Sequence, residues 1–366
     1  MRPGHFEALR PVCPVCRPAD AGGDPLRLAH IEREEGGHIL EGALHCSNVN
    51  CLREFPIIDG IPIIVVNIRH YITDQILAIY GRSDLSDFTE SILGDCCGPN
   101  SGFDQTRQHL SSYAWDHYGD LDPAEPNGSD EPGSVARILR TGCDLAGVRR
   151  ESASPNGVKP VALDLGCSVG RSTFELAAMT GGLVVGVDLH FAKLRVAAGV
   201  LRDGKVRYPR RETGLVYRRH EFAVKLPAAE AVDFWACDAA ALPFAPATFG
   251  TAAALNLLDC VASPRDLLVS LGRVMKPDAK AVLACPYDWS PTATAVESWL
   301  GGHSQRGKPG GSPEAILRDL LTPEAHPGSI NTLRLVAERE DLPWHVRLHD
   351  RSTMKYRVHL VVAERN

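Results

Sequence analysis

Short apolar runs separated by polar turns dominate the middle of the chain. One run covers residues 161–165, and similar runs cover residues 183–187, 232–236 and 251–255. Continuous apolar runs of this length are typical of strands that are buried on both faces of a parallel sheet. Directly after the first run, residues 171–179 are predicted to form a helix. This pattern predicts an α/β fold with a doubly wound sheet.

The turn between the first strand and its helix is built from small residues, among them Gly166, Ser168 and Gly170. A turn of this kind lets the backbone approach a ligand closely. The second run ends at Asp188, where a carboxylate can accept hydrogen bonds from a ribose diol. The two glycines are four residues apart, which differs from the G-x-G-x-x-G of nicotinamide-binding folds. The sequence therefore predicts a nucleoside-binding half of the sheet.

The third and fourth runs carry polar residues at their ends, in Cys237-Asp238-Ala239 and in Asn256-Leu-Leu-Asp259. This order resembles class I S-adenosylmethionine-dependent methyltransferases. In that family the glycine turn holds the amino acid part of the cofactor, and acidic residues bind the ribose and the adenine amino group. The resemblance implies that the cofactor is bound by Asp164, Gly166, Cys167, Ser168, Gly170, Asp188, Leu189, Asp238, Ala239 and Asn256.

The end of the chain fits the same family. Residues 344–349 and 356–363 are two strand-like runs separated by a polar break. They predict a Rossmann-like methyltransferase sheet whose last strand is antiparallel. The predicted methyltransferase domain covers residues 151–366.

Cysteine pairs mark the beginning of the chain. Cys13 and Cys16 form a C-x-x-C pair, and Cys46 and Cys51 supply a second pair. Four thiolates in two close pairs suit a closed, structural zinc site. The apolar segment 55–65 that follows resembles Trm112-type zinc-ribbon domains, which bind and activate methyltransferases of the translation apparatus. Residues 1–68 are therefore predicted to be a small zinc-ribbon β domain.

Bulk composition narrows the possible environments. The 366 residues carry a net charge of −6, with 44% hydrophobic residues and a mean hydropathy of −0.12. Nothing in these numbers requires a nucleic-acid partner, and no apolar run approaches the roughly 20 residues of a membrane span. Eleven cysteines without a secretion signal favour a reducing, cytoplasmic compartment. The oligomeric state is not indicated.

Residues 69–150 alternate helix-like stretches with polar breaks and are predicted to form a helical lid and linker. Its most aromatic stretch contains Tyr113, His117 and Tyr118. These side chains either lie at the rim of the active site or anchor a helix to the core. Two loops, around residues 120–132 and 151–160, are rich in proline, glycine and polar residues.

The methyl acceptor is suggested by a second, more specific resemblance. Segments 284–289, 297–302 and 342–347 resemble the methyltransferase domain of ovothiol synthases, which methylates the imidazole ring of 4-mercaptohistidine. The resemblance spans residues 160–366 and implies N-methylation of a small imidazole-containing metabolite resembling thiohistidine. The candidate catalytic residues are Asn256, Asp259, Tyr287, Trp289 and His303, together with Tyr113, His117 and Tyr118 of the lid.

A different acceptor is suggested by the basic insertion at residues 205–225. It contains seven lysines and arginines, which could clamp a carboxylate or contact phosphates. Together with the ribbon, it leaves open an RNA or protein methyltransferase of the translation apparatus. A solvated surface hairpin is the commoner explanation for such a run. A scaffold that binds the cofactor without catalysis is a third alternative.

Overall fold

The computed structural model describes residues 1–16, 22–125, 131–149, 160–307 and 310–366. Their strands are β1 (Leu26–Glu35), β2 (His38–Cys46), β3 (Glu54–Ile58), β4 (Ile61–Ile64), β5 (Val161–Leu165), β6 (Leu183–Asp188), β7 (Lys205–Thr213), β8 (Val216–Ala223), β9 (Val232–Cys237), β10 (Phe249–Leu255), β11 (Met275–Cys285), β12 (Leu333–His349) and β13 (Ser352–Arg365). Their helices are α1 (Pro3–Leu9), α2 (Ile68–Tyr80), α3 (Asp87–Cys97), α4 (Gly102–Tyr118), α5 (Ser134–Ala146), α6 (Arg171–Thr180), α7 (Phe191–Asp203), α8 (Pro264–Val274) and α9 (Pro313–Leu320).

The central sheet has the predicted doubly wound form. Its strand order is β1-β2-β3-β4-β9-β6-β5-β10-β11-β13-β12. The strands from β9 to β11 are parallel, and β13 pairs antiparallel with β11. The antiparallel last strand is therefore confirmed. The strand order reverses between β5 and β10, and a ligand-binding crevice is expected at the carboxyl ends of the strands there.

The sheet is covered on both faces. One face packs against α1, α8 and α9, and the other against α4, α5, α6 and α7. Burial on both faces explains why the four central strands are almost entirely apolar. Within the described ranges, no helix combines the length and the apolar character needed to cross a membrane.

The N-terminal segment extends this sheet directly. Strands β1 to β4 form an antiparallel meander, and β4 pairs in parallel with β9 through Ile63 and Ala236. Asp59 and Gly60 have φ angles of 54° and 82° and form the tight turn between β3 and β4. Hydrogen bonds therefore join the cysteine-containing segment to the nucleoside-binding half of the sheet.

The C-terminal hairpin is longer than the sequence pattern predicted. Strand β12 begins at residue 333 rather than 344, and β13 begins at residue 352 rather than 356. The early part of β12 is only partly buried and carries several charged residues, so it lacks an apolar run. The predicted boundary between lid and methyltransferase domain, and most of the loop at 151–160, fall outside the described residues.

The basic insertion is a surface hairpin of β7 and β8 that packs on α4 and β12. Arg210 pairs with Glu125 and Asp350 at 3.0 and 2.9 Å. Arg219 contacts Asp87 and Glu90 of α3 at 3.3 and 2.9 Å. Much of the positive charge of the hairpin is therefore used to attach it to the rest of the protein.

Arg195 of α7 connects this helix to the turn between β3 and β4 and to the end of α2. The guanidinium of Arg195 in α7 donates to the Asp59 carboxylate at 2.7 Å. It also donates to the carbonyl oxygens of Ala78, Ile79 and Gly81 at 2.8, 3.1 and 3.2 Å, at the C-terminal end of α2. This cation satisfies carbonyl groups that a helix end otherwise leaves open.

Replacing this arginine should therefore destabilise the protein more than replacing a nearby exposed one. We expect Arg195→Met to lower the free energy of unfolding by about 2 kcal/mol, because a partly buried carboxylate and three carbonyl groups lose their donor. Arg202→Met is the matched control, since Arg202 is exposed and donates only to the carbonyl oxygen of Asp59. Urea denaturation measures both, and equal losses would contradict this role for Arg195.

Candidate functional site

The glycine turn closes against the end of β6 through a carboxylate. Gly166, Ser168 and Gly170 all have positive φ angles, of 68°, 51° and 96°. The Asp188 carboxylate accepts hydrogen bonds from the backbone N–H groups of Ser168 at 2.9 Å and His190 at 2.7 Å. This carboxylate therefore fixes the turn that would hold one end of the cofactor beside the strand end that would hold its ribose.

The two glycines differ in what surrounds them. A Cβ on Gly170 would lie 2.7 Å from the ring of Phe234 and 2.8 Å from Ala197, so this glycine permits close packing inside the fold. A Cβ on Gly166 would meet the side chain of Leu257 at 2.7 Å. Close packing of the turn onto its neighbours, as well as its backbone conformation, requires glycine here.

Asp164 and Cys167, two of the residues expected to bind the cofactor, have side chains that lie beneath the turn. Asp164 is 1% exposed and accepts hydrogen bonds from the hydroxyls of Ser172 at 2.6 Å and Thr173 at 2.7 Å. The Cys167 side chain is fully buried. Within the protein, Asp164 holds the start of α6 and Cys167 packs in the core, and the binding of the cofactor by these two residues stays a prediction.

Helix α4 lies over the glycine turn, as a lid would, but two of its predicted rim residues face inward. The Tyr118 hydroxyl is buried and donates to the Val169 carbonyl at 2.8 Å. The Nδ1 atom of His117 accepts from the Arg171 N–H at 3.2 Å, and burial lowers the pKa of His117 to about 3. Of the two alternatives that the sequence left open, both side chains fit the anchor, because they support the turn from within the protein.

Tyr113, one turn earlier in α4, lies in the crevice. Its ring is half-buried and faces the ammonium of Lys193, which lies 3.7 Å from the ring centroid. The neighbouring rings of His109 and His190 have their centroids 6.0 Å apart. No sequence motif indicated Lys193, His109 or His190. Lys193 lies in the first turn of α7, His190 immediately precedes that helix, and His109 lies one turn before Tyr113.

The side of the crevice that is predicted to hold the adenine is formed by the ends of β6 and β9. Asp238 follows β9, and its carboxylate accepts from the Ala240 N–H at 2.9 Å. Ala239 beside it is buried. Leu189 follows Asp188 and is 42% exposed, which leaves an apolar side chain available to cover a flat ring.

Asn256 and Asp259 follow β10, across the crevice from Asp188. Asn256 has a φ of 50°, and its Oδ1 atom is buried with no hydrogen-bond partner among the described residues. Asp259 is 2% exposed and accepts from the Asp288 N–H at 2.8 Å, and burial raises its pKa. Asp259 therefore holds the loop that follows β11, while the amide oxygen of Asn256 is available to a ligand.

The aromatic residues after β11 pack against the opposite face of the sheet from Tyr113. The Tyr287 hydroxyl lies 2.8 Å from Nδ1 of His359, and Trp289 stacks on Trp299 with centroids 5.6 Å apart. His303 is exposed and lines a separate crevice of about 430 Å³. Tyr287 and Trp289 therefore lie away from Tyr113, and their stacking on the acceptor stays a prediction. His303 and Tyr113 do not meet in one site.

The four N-terminal cysteines converge as predicted. All four Sγ atoms lie within 4.8 Å of one another, with Cys13–Cys51 at 3.9 Å and Cys16–Cys46 at 3.5 Å. A tetrahedral zinc with Zn–S bonds of about 2.3 Å requires sulfur atoms about 3.8 Å apart. The geometry of this cluster is therefore compatible with a four-thiolate metal site.

Comparison with known proteins shows similarity in the middle of the chain. Residues 163–283 match the family model of a methyltransferase domain. The middle of the chain is therefore similar to methyltransferase domains. The O-methyltransferase cnsE of Penicillium expansum is 29% identical over 122 residues, which are 33% of this chain and 36% of that protein. The chain thus matches about a third of the length of this curated relative.

Several solved structures are similar to larger parts of the chain at low identity. A SAM-dependent methyltransferase from Methanosarcina mazei is 21% identical, with 57% of this chain and 92% of that chain covered and a TM-score of 0.35. The YcgJ protein of Bacillus subtilis is 13% identical, with 64% and 98% covered and a TM-score of 0.38. The [4+2]-cyclase SpnF is 12% identical, with 70% and 96% covered and a TM-score of 0.41.

The buried carboxyl of Asp164 should make stability depend on pH. Burial raises its pKa from 3.8 to about 6, so the folded state binds the proton more tightly than the unfolded state. The resulting stabilisation is complete below pH 3.8 and is lost as the pH rises through 6, a change of about 3 kcal/mol. Urea denaturation from pH 4 to 7 should show this contribution as the difference between the wild type and Asp164→Asn, because the lowered pKa of buried His117 changes stability in the opposite direction over the same range.

The Asp164→Asn variant should lack this part of the pH dependence, because its amide cannot ionise. Asp278→Asn, at an exposed position at the opposite end of the sheet, serves as the control and should keep the wild-type profile. If Asp164→Asn shows the wild-type profile as well, then Asp164 does not cause it.

Metal content tests the cysteine cluster. We expect the purified protein to contain one zinc per chain, and Cys13→Ser to lose it together with several degrees of thermal stability, because structural zinc contributes to folding. Cys96→Ser on the exposed surface of α3 is the control and should retain the metal. Elemental analysis decides this, and a wild-type protein free of bound metal would refute the site.

Proposed function

We propose that this protein is an S-adenosylmethionine-dependent methyltransferase whose cofactor binds at the carboxyl ends of β5, β6 and β9. The observation that carries this proposal is the set of available polar atoms inside a methyltransferase domain. The Ser168 hydroxyl and the Asn256 amide oxygen are buried and have no partner in the part of the chain that the structure describes. Buried polar groups are normally hydrogen-bonded, so a polar ligand is expected between them.

The residues around this crevice fit the cofactor part by part. The turn at residues 166–170 would hold its amino acid end, and Asp188 would accept from the ribose hydroxyls while it keeps the turn in place. Asp238 would accept from the adenine amino group, and Leu189 would cover the ring. The cofactor supplies an activated methyl group, so the protein has to align the acceptor and exclude water.

For the acceptor we propose a small imidazole-containing metabolite resembling thiohistidine, methylated on a ring nitrogen. The resemblance of the C-terminal half to ovothiol methyltransferase domains supports this choice, and Asn256 gives it a mechanism. Its free amide oxygen can accept the N–H of the ring, which leaves the lone pair of the other nitrogen directed at the methyl group. The remaining N–H proton of the imidazolium product then leaves to water.

Methylation of RNA receives less support. Of the basic hairpin residues, Lys205, Arg210, Arg218 and Arg219 form ion pairs within the protein. Phosphate binding would have to compete with these pairs, some of which attach the hairpin to the lid. For the four cysteines we propose a structural zinc that stabilises the ribbon, as the Trm112-like segment suggests, because a closed thiolate site leaves no position for a substrate.

Methyl transfer from labelled S-adenosylmethionine tests the function. We expect label on 4-mercaptohistidine or histidine and none on total RNA. Asp188→Ala should weaken cofactor binding at least about tenfold in calorimetry, because the ribose loses its acceptor and the turn loses its support. Glu230→Gln is the control and should bind the cofactor normally, because Glu230 precedes the amino end of β9, away from the crevice. Transfer to RNA alone would overturn the proposed acceptor, and wild-type protein that binds no cofactor would overturn the activity.

A further inference from the structure

The crevice contains a lysine that forms no ion pair with the residues that the structure describes. Lys193 in the first turn of α7 is half-buried, and its ammonium lies 3.7 Å from the ring centroid of Tyr113. Among the described residues, no carboxylate lies within 4.0 Å of this ammonium. A partly desolvated cation without an ion-pair partner is costly unless something else compensates its charge.

Lys193 is nevertheless charged at neutral pH. Burial alone would lower its pKa, but the Tyr113 hydroxyl and the more distant Asp188 carboxylate outweigh burial, and the pKa of the ammonium is raised. The ring of Tyr113 also stabilises the cation through its electron-rich face. These partners stabilise the charge without forming an ion pair, because the Asp188 carboxylate lies more than 4.0 Å from the ammonium and accepts two backbone N–H bonds.

The surroundings match a ligand with one negative charge. Burial lowers the pKa of His109 and brings the pKa of His190 down to about 4, so both rings are neutral at pH 7. The Nδ1 atom of His190 is buried and has no partner within the described ranges. One cation beside neutral polar rings and a phenol suits a carboxylate, whereas a phosphate dianion would be left half-compensated.

Resting on the function proposed above, we propose that Lys193 and Tyr113 bind a carboxylate of the methyl acceptor. The cofactor also carries a carboxylate, but its amino acid end belongs at the glycine turn, whereas Lys193 follows the ribose-binding strand end. Tyr113 also lies toward Asp259, which follows β10 on the acceptor side. A negative group here also offsets the positive charge that Lys193 adds near the sulfonium. The subsite selects imidazole amino acids over the corresponding amines.

A pair of matched probes tests this subsite. L-Histidine and histamine share the imidazole ring, and only histidine has a carboxylate. We expect wild-type protein with bound S-adenosylhomocysteine to bind histidine at least about tenfold more tightly than histamine in calorimetry. Lys193→Met should remove this preference by weakening histidine binding about tenfold or more, while Lys193→Arg should retain most of it. Lys276→Met, at an exposed position at the opposite end of the sheet, is the control.

Measurement of cofactor binding distinguishes failure of this inference from failure of the function on which it rests. S-Adenosylmethionine affinity should be the same in wild type and Lys193→Met. If Lys193→Met weakens cofactor binding and leaves histidine binding unchanged, the lysine serves the cofactor carboxylate and the inference is overturned. Equal binding of the two probes, or no binding of histidine, overturns it as well. Loss of the proposed function would instead show as wild-type protein that fails to bind S-adenosylmethionine.

Discussion

The hydrogen bond between the Ser168 N–H and the Asp188 carboxylate is the interaction on which the rest of the site depends. It connects the turn after β5 to the end of β6, so the two parts of the proposed cofactor site cannot move independently. The elements behind the turn strengthen the same arrangement: the Tyr118 hydroxyl holds the Val169 carbonyl, and His117 accepts from the first N–H of α6. Preorganisation of this kind lowers the entropic cost of binding a flexible cofactor.

The central sheet could be predicted because its physical cause is local. A parallel strand covered on both faces must be apolar along its whole length, and β5, β6, β9 and β10 begin and end within two residues of the predicted runs. The pairing of β4 with β9 and the early part of β12 were not predictable in this way. Both depend on which distant strand supplies hydrogen bonds, which a single sequence does not encode in its apolar pattern.

Side-chain direction limited the prediction of the site. In α4, the rotation of about 100° per residue separates Tyr118 from Tyr113, whereas Tyr113 and His117 are one turn apart on the same side of the helix and differ in their surroundings only through their position along it. Only the contacts of the helix with the turn and with α7 decide that Tyr113 faces the crevice. After β11, the left-handed backbone of Tyr287, with a φ of 57°, is associated with a side chain that packs against His359. A motif at a strand end therefore predicts the edge of the sheet and leaves the face undecided.

The pairing of β4 with β9 has a consequence for the solubility of the folded chain. Without the N-terminal meander, β9 would become the outermost strand of a long parallel sheet, with a row of open N–H and C=O groups. Such an edge is a template for pairing with a second chain. The meander replaces it with β1, whose outer residues are largely charged and exposed. The segment that carries the cysteine cluster thus also protects the parallel part of the sheet from edge-to-edge aggregation.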